Sequence, residues 1–394
     1  MPVRVPPIRL LSLSLALLLS GSACGDEAHS HNPDGDFSCD YQRPIEPLSQ
    51  IPSLTQGELL GTFRVLTANV FGQSQDSLGE ILFVSDEVCQ TRLKQIGVHI
   101  RDAQPPYDIV GLEEWHSDNI HTCNGVVLKN RLDDLDSTLE SQLYDAPEGY
   151  QWSHHRWGHP EANDQNDGGV GLFARIPYLW EKYSSGEFDD RFVETENVHQ
   201  FFPRLKARSA HGFIFARLYQ DYPDVGIDVY VVHLTSTQSD PNKCDEECKA
   251  LMLGQLREGI HERSAESGFP VLVMGDFNIG GPNPTTAECA GSKRYGTIME
   301  SLGHPNDVWL SAHPGEQGGT YGWLGDHPER IDYMFILDDP YLTNSEFELS
   351  VQDPSSVLLI DWRLQVGLSD PPDHRGLEAT FELRKKTLAL WAQE

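Results

Sequence analysis

Asp276 and Asn278 stand two apart just past the apolar run Val271-Leu272-Val273-Met274-Gly275. A carboxylate and a carboxamide are groups that bind hard cations or orient polar ligands. Both are costly to bury without such a task or a partner. Extended backbone sends the two side chains the same way, into whatever cleft lies beyond the strand. An Asx-turn closing the strand, with both side chains bonded to local backbone, accounts for the same two residues. The segment alone leaves both readings open.

The same pattern recurs elsewhere. Asn69 closes the run 61–70, Glu114 the run 106–115 and His233 the run 227–234. Asp332 lies in the run 329–336, and Asp373-His374 just precedes the run 377–383. A single polar strand end is an ordinary turn. Acid, amide and imidazole repeated at strand ends are harder to dismiss, because open α/β sheets carry their sites there.

The elements that must position these residues follow from period and punctuation. Alternating or continuous apolar runs predict strands over 61–70, 106–115, 168–175, 211–218, 227–234, 271–274, 329–336 and 377–383. Helical spacing predicts helices over 86–103, 128–143 and 245–264. The stretch 151–167, rich in His, Trp and Asn, reads as a loop. Strands alternate with helices, yet 211–218 and 227–234 form a hairpin, so the sheets are mixed. The expectation is one α/β catalytic domain over residues 58–394, with helices outside a β core.

Composition bounds the function. The chain has 394 residues and 39 % hydrophobic residues, enough to bury a large core. Its 29 Lys and Arg against 60 Asp and Glu give a net charge of −31. Such a surface repels a polyanion at long range, which argues against nucleic acid as partner. Residues 1–24 read as an export leader, with Arg4 and Arg9, an apolar stretch over 10–19 and the small residues Gly21-Ser22-Ala23. Cys24 follows, and the segment resembles a bacterial lipoprotein box with Gly21 where Leu is usual. The expectation is an exported protein, held at a membrane surface through Cys24 or secreted. Residues 25–57, polar and broken by prolines, read as a tether, and His29 and His31 as solvated linker residues. The remaining cysteines, Cys39, Cys89, Cys123, Cys244, Cys248 and Cys289, suggest disulfides whose pairing spacing does not choose.

Six motifs in order carry a resemblance: Thr67-Ala68-Asn69-Val70, Asp108-Ile109-Val110-Gly111-Leu112-Glu113-Glu114, Val232-His233-Leu234, Gly275-Asp276-Phe277-Asn278, Arg330-Ile331-Asp332-Tyr333 and Asp373-His374. Together they resemble the endonuclease/exonuclease/phosphatase superfamily over about residues 62–383. The resemblance implies a four-layered α/β sandwich, two mixed β-sheets packed face to face with helices outside. It also implies Mg2+-dependent (or other divalent-cation-dependent) cleavage of a phosphoester. Glu114 and Asn69 become the implied cation ligands, with Asp373 as a further one. His374, oriented by Asp332, becomes the implied base toward water. His233 would bond a phosphoryl oxygen or assist the leaving group, while Asp276 and Asn278 would position water and phosphate. The chain departs from the pattern at Glu113, where Gln usually precedes the metal-binding Glu, so either of the two acids is a candidate ligand. It departs again at Pro372, where Ser usually precedes Asp-His.

Within the superfamily, Asp167-Gly168-Gly169-Val170-Gly171-Leu172-Phe173-Ala174-Arg175-Ile176-Pro177 and Ser209-Ala210-His211-Gly212-Phe213-Ile214-Phe215 resemble segments of bacterial sphingomyelinase C, with His211 in place of a Lys. The segment 256–260 matches more loosely. The implied substrate is a phospholipid head group. A secreted endonuclease of the DNase I kind and an inositol-phosphate phosphatase are the alternatives. Tyr321 and Trp323 are candidate lipid-facing aromatics, though single aromatics in loops are more often packed. Trp152, Trp157, His154, His155 and His159 are candidate walls of a choline-sized pocket, with buried or solvent-facing bystanders the commoner account of most of them.

Overall fold

Alternating burial along β1 (Leu59–Asn69) sorts its side chains between two layers. Phe63 and Val65 enter the core between two sheets, and Thr67 and Asn69 follow on that face by the two-residue period. Leu66, Ala68 and Val70 point the other way, onto Leu93, Ile96 and Ile100 of α1 (Asp86–Asp102). The chain continues through β2 (Ile109–Glu113), β3 (Trp152–Gly158), β4 (Asp167–Arg175), β5 (Gly212–Asp221), β6 (Val225–His233), α2 (Glu246–Ser264) and β7 (Val271–Asp276). Then come α3 (Ala290–Ser301), β8 (Asn306–Asp307), α4 (Val308–Ala312), β9 (Asp332–Leu337), β10 (Phe347–Val351), β11 (Leu358–Ile360), α5 (Trp362–Gln365) and β12 (Gly376–Lys385).

This computed structural model describes residues 57–70, 86–114, 152–158, 167–175, 212–221, 224–234, 246–282, 290–322, 328–338, 342–343, 345–368 and 371–386. All of them belong to one compact unit, Cys39–Glu394. The expected leader, nearly all of the tether and the expected helix over 128–143 lie outside the described residues. So do Cys24, Cys39, Cys123, Cys244 and Cys289, and the side chains of Cys89 and Cys248.

One sheet runs β10-β12-β1-β2-β4-β3, with β11 paired to β12, and the other runs β5-β6-β7-β9-β8. The pairs β1·β2 and β6·β7 are parallel while their neighbours are antiparallel, so both sheets are mixed. The sheets face each other closely. A Cβ on Gly111 of β2 would lie 2.8 Å from Met274 of β7 and 3.0 Å from Val231 of β6, so a side chain there would force the layers apart. Trp362 of α5 joins α1 on the outside of the first sheet. Met252, Leu253, Leu256 and Ile260 of α2 and Ile298 of α3 belong to the core of the second. The result is the four-layered α/β sandwich.

Differences from the sequence reading have local causes. The stretch expected as a loop contains β3, which pairs antiparallel with β4 along its length. The strand expected over 329–336 begins at Asp332, because Glu329 instead exchanges backbone hydrogen bonds with Tyr321. The elements α3, β8, α4, β10, β11 and α5 lie in stretches for which the sequence predicts no element.

Candidate active site

The register brings the polar strand ends to one edge. Asn69 pairs with Glu113, His233 with Asp276, Asp276 with Asp332, and Thr67 with Leu377 at the start of β12. Strands β1, β2, β6 and β7 therefore end where β9 and β12 begin. Gly275 makes the approach possible. Its φ is +131°, and a Cβ there would sit 2.1 Å from the Val232 carbonyl oxygen and 2.9 Å from Glu113 Oε1.

Asp276 is the hub. It is 1 % exposed, and its two oxygens do different things. Oδ1 accepts the backbone N–H of Asn278 at 2.7 Å, which is the Asx-turn. Oδ2 accepts from Asn69 Nδ2 at 3.1 Å and Asn278 Nδ2 at 3.2 Å, and lies 3.7 Å from His233 Nε2 and 4.0 Å from His374 Nε2. The two readings of this pair hold together, one on each oxygen. Asn278 reaches its position through a left-handed backbone, φ 49°, rather than by continued extension, and its Nδ2 also donates to the Leu234 carbonyl at 2.7 Å.

His374 is held from one side. Its Nδ1 lies 2.9 and 3.1 Å from the two Asp332 oxygens, so Nδ1 carries the hydrogen and donates, leaving Nε2 toward Asp276. Thr320 Oγ1 accepts the backbone N–H groups of Ile331 and Asp332 at 3.1 Å each, fixing the start of β9. The Tyr321 ring packs on the imidazole with centroids 4.9 Å apart. Burial alone pushes the imidazole pKa down. The charge and hydrogen bond of Asp332, with the charges of Asp276 and Asp373, outweigh it and hold the pKa well above the ordinary histidine value.

The structure separates the adjacent acids. Glu113 is fully buried on the intersheet face of β2, accepting from Thr67 Oγ1 at 3.0 Å. Burial, with Asp332 and Asp276 nearby, pushes its carboxyl well above the usual range. Glu114 has a left-handed backbone, φ 54°, which turns its side chain out of the strand alternation and onto Asn69 Nδ2 at 3.1 Å, 4.0 Å from His233 Nε2. Left-handed non-glycine residues cost free energy and cluster at sites. Glu114 is thus the acid presented to the cluster.

The donor set fits a divalent cation. Asp276, Asp332 and His374 each bring one ligand-type atom within 4.8 Å of the others, and Asn69 joins Glu114 to that group by donating to both Glu114 and Asp276. Burial, followed by the charge of Asp332, raises the Asp276 carboxyl. Among the described residues, Glu113 Oε2 and Asp373 Oδ1 are buried without a hydrogen-bond partner. Clustered anionic oxygens in excess of donors are what a hard cation satisfies.

Asn69, Glu114, His233, Asp276, Asn278, Asp332 and His374 are therefore brought together, and Asp373 adjoins them through its charge on His374 and Tyr321. Tyr321, a candidate lipid-facing aromatic with packing as the commoner alternative, is half-buried against His374. Trp323 and His159 lie outside the described residues, as do the side chains of Trp152, His154, His155 and Trp157. Thr67 and Thr320 were missed as supports. Each reaches its partner, Glu113 for Thr67 and the start of β9 for Thr320, only through the fold, and no spacing marks either.

The sequence matches the Endonuclease/Exonuclease/phosphatase family over residues 66–336. No curated protein matches the chain. Solved structures similar to it include beta toxin 275-280 from Staphylococcus aureus, at 12 % identity over 82 % of this chain and 100 % of that one, TM-score 0.44. The human Nocturnin catalytic domain with bound sulfate matches at 18 % identity over 82 % and 94 %, TM-score 0.46. Sphingomyelinase C from Streptomyces griseocarneus matches at 14 % identity over 81 % and 99 %, TM-score 0.45. Likenesses at this level carry no inference about substrate.

Proposed function

Because this chain belongs to the endonuclease/exonuclease/phosphatase family, a group of metal-dependent hydrolases of phosphate esters, we propose that it cleaves a phosphodiester in a phospholipid head group, as sphingomyelinase C does, outside the cytoplasm. The observation that carries the hydrolytic reading is the convergence of two imidazoles and two carboxamides on Asp276 Oδ2.

In this reading Asp332 fixes the His374 tautomer, and His374 Nε2 takes the proton of the attacking water. His233 donates to a phosphoryl oxygen or to the departing oxygen. Asp276 and Asn278 orient water and phosphate in a site that is almost wholly buried and so favours preorganised polar groups. Glu114 and Asn69, with Asp373, would hold the divalent cation. Once bound, that ion would supply positive charge for the phosphoryl oxygens and offset the carboxylates that raise His374.

Two features of the sequence support the lipid reading: the net charge of −31, which disfavours a polyanionic substrate, and the sphingomyelinase-like segments around 167–177 and 209–215. The leader expected at 1–24 supports export, by secretion or anchored through Cys24. Sphingomyelin liposomes and plasmid DNA, each with Mg2+ and then with chelator, test it. Release of phosphocholine that needs Mg2+ is expected. Nicked DNA beside untouched liposomes would sink the lipid reading and favour an endonuclease.

A further inference from the structure

Lys249, in the first turns of α2, is 5 % exposed, and lysine is almost never buried without a paired charge. Its Nζ donates to the backbone carbonyl of Asn278, a neutral acceptor. Among the described residues, charged groups face it from the surrounding elements: Asp276 at the end of β7, Arg294 on α3 and Glu329 just before β9. Burial is the largest influence and lowers the ammonium pKa to about 8, Asp276 and Glu329 opposing and Arg294 assisting. Keeping a cation there costs the fold free energy.

The contact completes a set. Asn278 already commits its N–H to Asp276 Oδ1 and its Nδ2 to Asp276 Oδ2 and the Leu234 carbonyl, next to His233. Lys249 takes the remaining backbone group, the carbonyl. With it in place the left-handed residue, φ 49°, is held at its N–H, its carbonyl and its Nδ2. We propose that Lys249 is a positioning residue of the hydrolytic site, tying α2 to the Asn278 carbonyl and so holding the Asn278 carboxamide against Asp276. The proposal rests on the hydrolytic reading above. Lys249 touches neither substrate nor water in it, and acts through Asn278.

The test compares Lys249→Met, which keeps the aliphatic stem without a donor, and Lys249→Arg, which keeps donor and charge. Hydrogen exchange over residues 275–281 at neutral pH is measured beside hydrolysis of bis(p-nitrophenyl) phosphate with Mg2+. Lys249→Met should exchange faster there and lose about tenfold in kcat, with KM within about twofold. Wild-type kcat should fall as pH rises past about 8, where loss of the ammonium charge weakens its hydrogen bond to the Asn278 carbonyl. Lys249→Arg should carry the plateau to higher pH. Wild-type exchange or wild-type kcat in Lys249→Met overturns the proposal. If Lys249→Met does not fold, an alkaline limit in Lys249→Arg identical to wild type overturns it. Exchange needs no turnover, so a wild-type protein that hydrolyses no phosphoester sinks the hydrolytic reading while exchange still decides on Lys249.

Discussion

Asp332 lies 2.9 Å from Nδ1 of His374, behind an imidazole whose other nitrogen is 4.0 Å from Asp276. One carboxylate thus sets the tautomer while a second shares the space where chemistry would occur. Replacing Asp332 by Asn removes the strongest influence that raises His374. Asp332→Asn should lower kcat on the order of 10²–10⁴-fold, and the His374 ring, followed by NMR, should titrate at lower pH than in wild type. An unchanged titration would mean that Asp332 does not govern the imidazole.

Three buried groups push stability the same way with pH. Glu113, Asp276 and His374 all have folded pKa values raised above their ordinary ones. In the window between each ordinary and raised value the folded state binds more protons than the unfolded one. The His374 contribution is complete below about 6.5 and is lost as pH rises through its raised value. The metal-free protein should therefore lose stability as pH rises from acid to alkaline. Cation ligands must be deprotonated, so Mg2+ should raise the melting temperature more at about pH 8 than at about pH 5. The opposite order, read by calorimetry with and without chelator, would contradict the carboxylate cluster as the cation site.

Glu113 and Glu114 should respond differently to the same isosteric change. Glu113 is buried and held toward its neutral form, so Glu113→Gln should keep kcat within about threefold and flatten the alkaline loss of stability. Glu114→Gln should weaken Mg2+ activation by at least about tenfold. Mg2+ titrations of the two variants separate them, and equal effects would remove the distinction the backbone draws between these acids.

Gly275 admits no side chain. Its φ of +131° and the 2.1 Å approach to the Val232 carbonyl make Gly275→Ala a test of how the hub is placed. The backbone conformation alone costs about 1–3 kcal/mol for a non-glycine residue, and the overlap adds to it. Urea unfolding should show at least that loss, and a variant as stable as wild type would mean the strand end is laxer than its geometry.

The strands β1, β2, β6, β7 and β12 were legible as apolar runs bounded by polar residues, which also exposed the cluster, while their layering into a sandwich was implied only by the family resemblance. The stretch that becomes β3 was not, since Trp152-Ser153-His154-His155-Arg156-Trp157 lacks apolar alternation and gains its strand from pairing with β4. Helix α3 carries Gly291 and Gly296, which weaken the local signal. The two adjacent acids looked alike in sequence. They part only through φ at Glu114, a backbone property that no residue type announces. Lys249 and Tyr321 act through tertiary contacts with Asn278 and His374, distant in sequence, and leave no spacing pattern.

The measurement closest to the central claim is hydrolysis of bis(p-nitrophenyl) phosphate, with saturating Mg2+, by wild type and by Asp276→Asn matched for folding. The substitution keeps the shape of the hub and removes its charge. A fall on the order of 10²–10³-fold in kcat is the predicted result. A rate within about threefold of wild type would contradict Asp276 as the centre of the site.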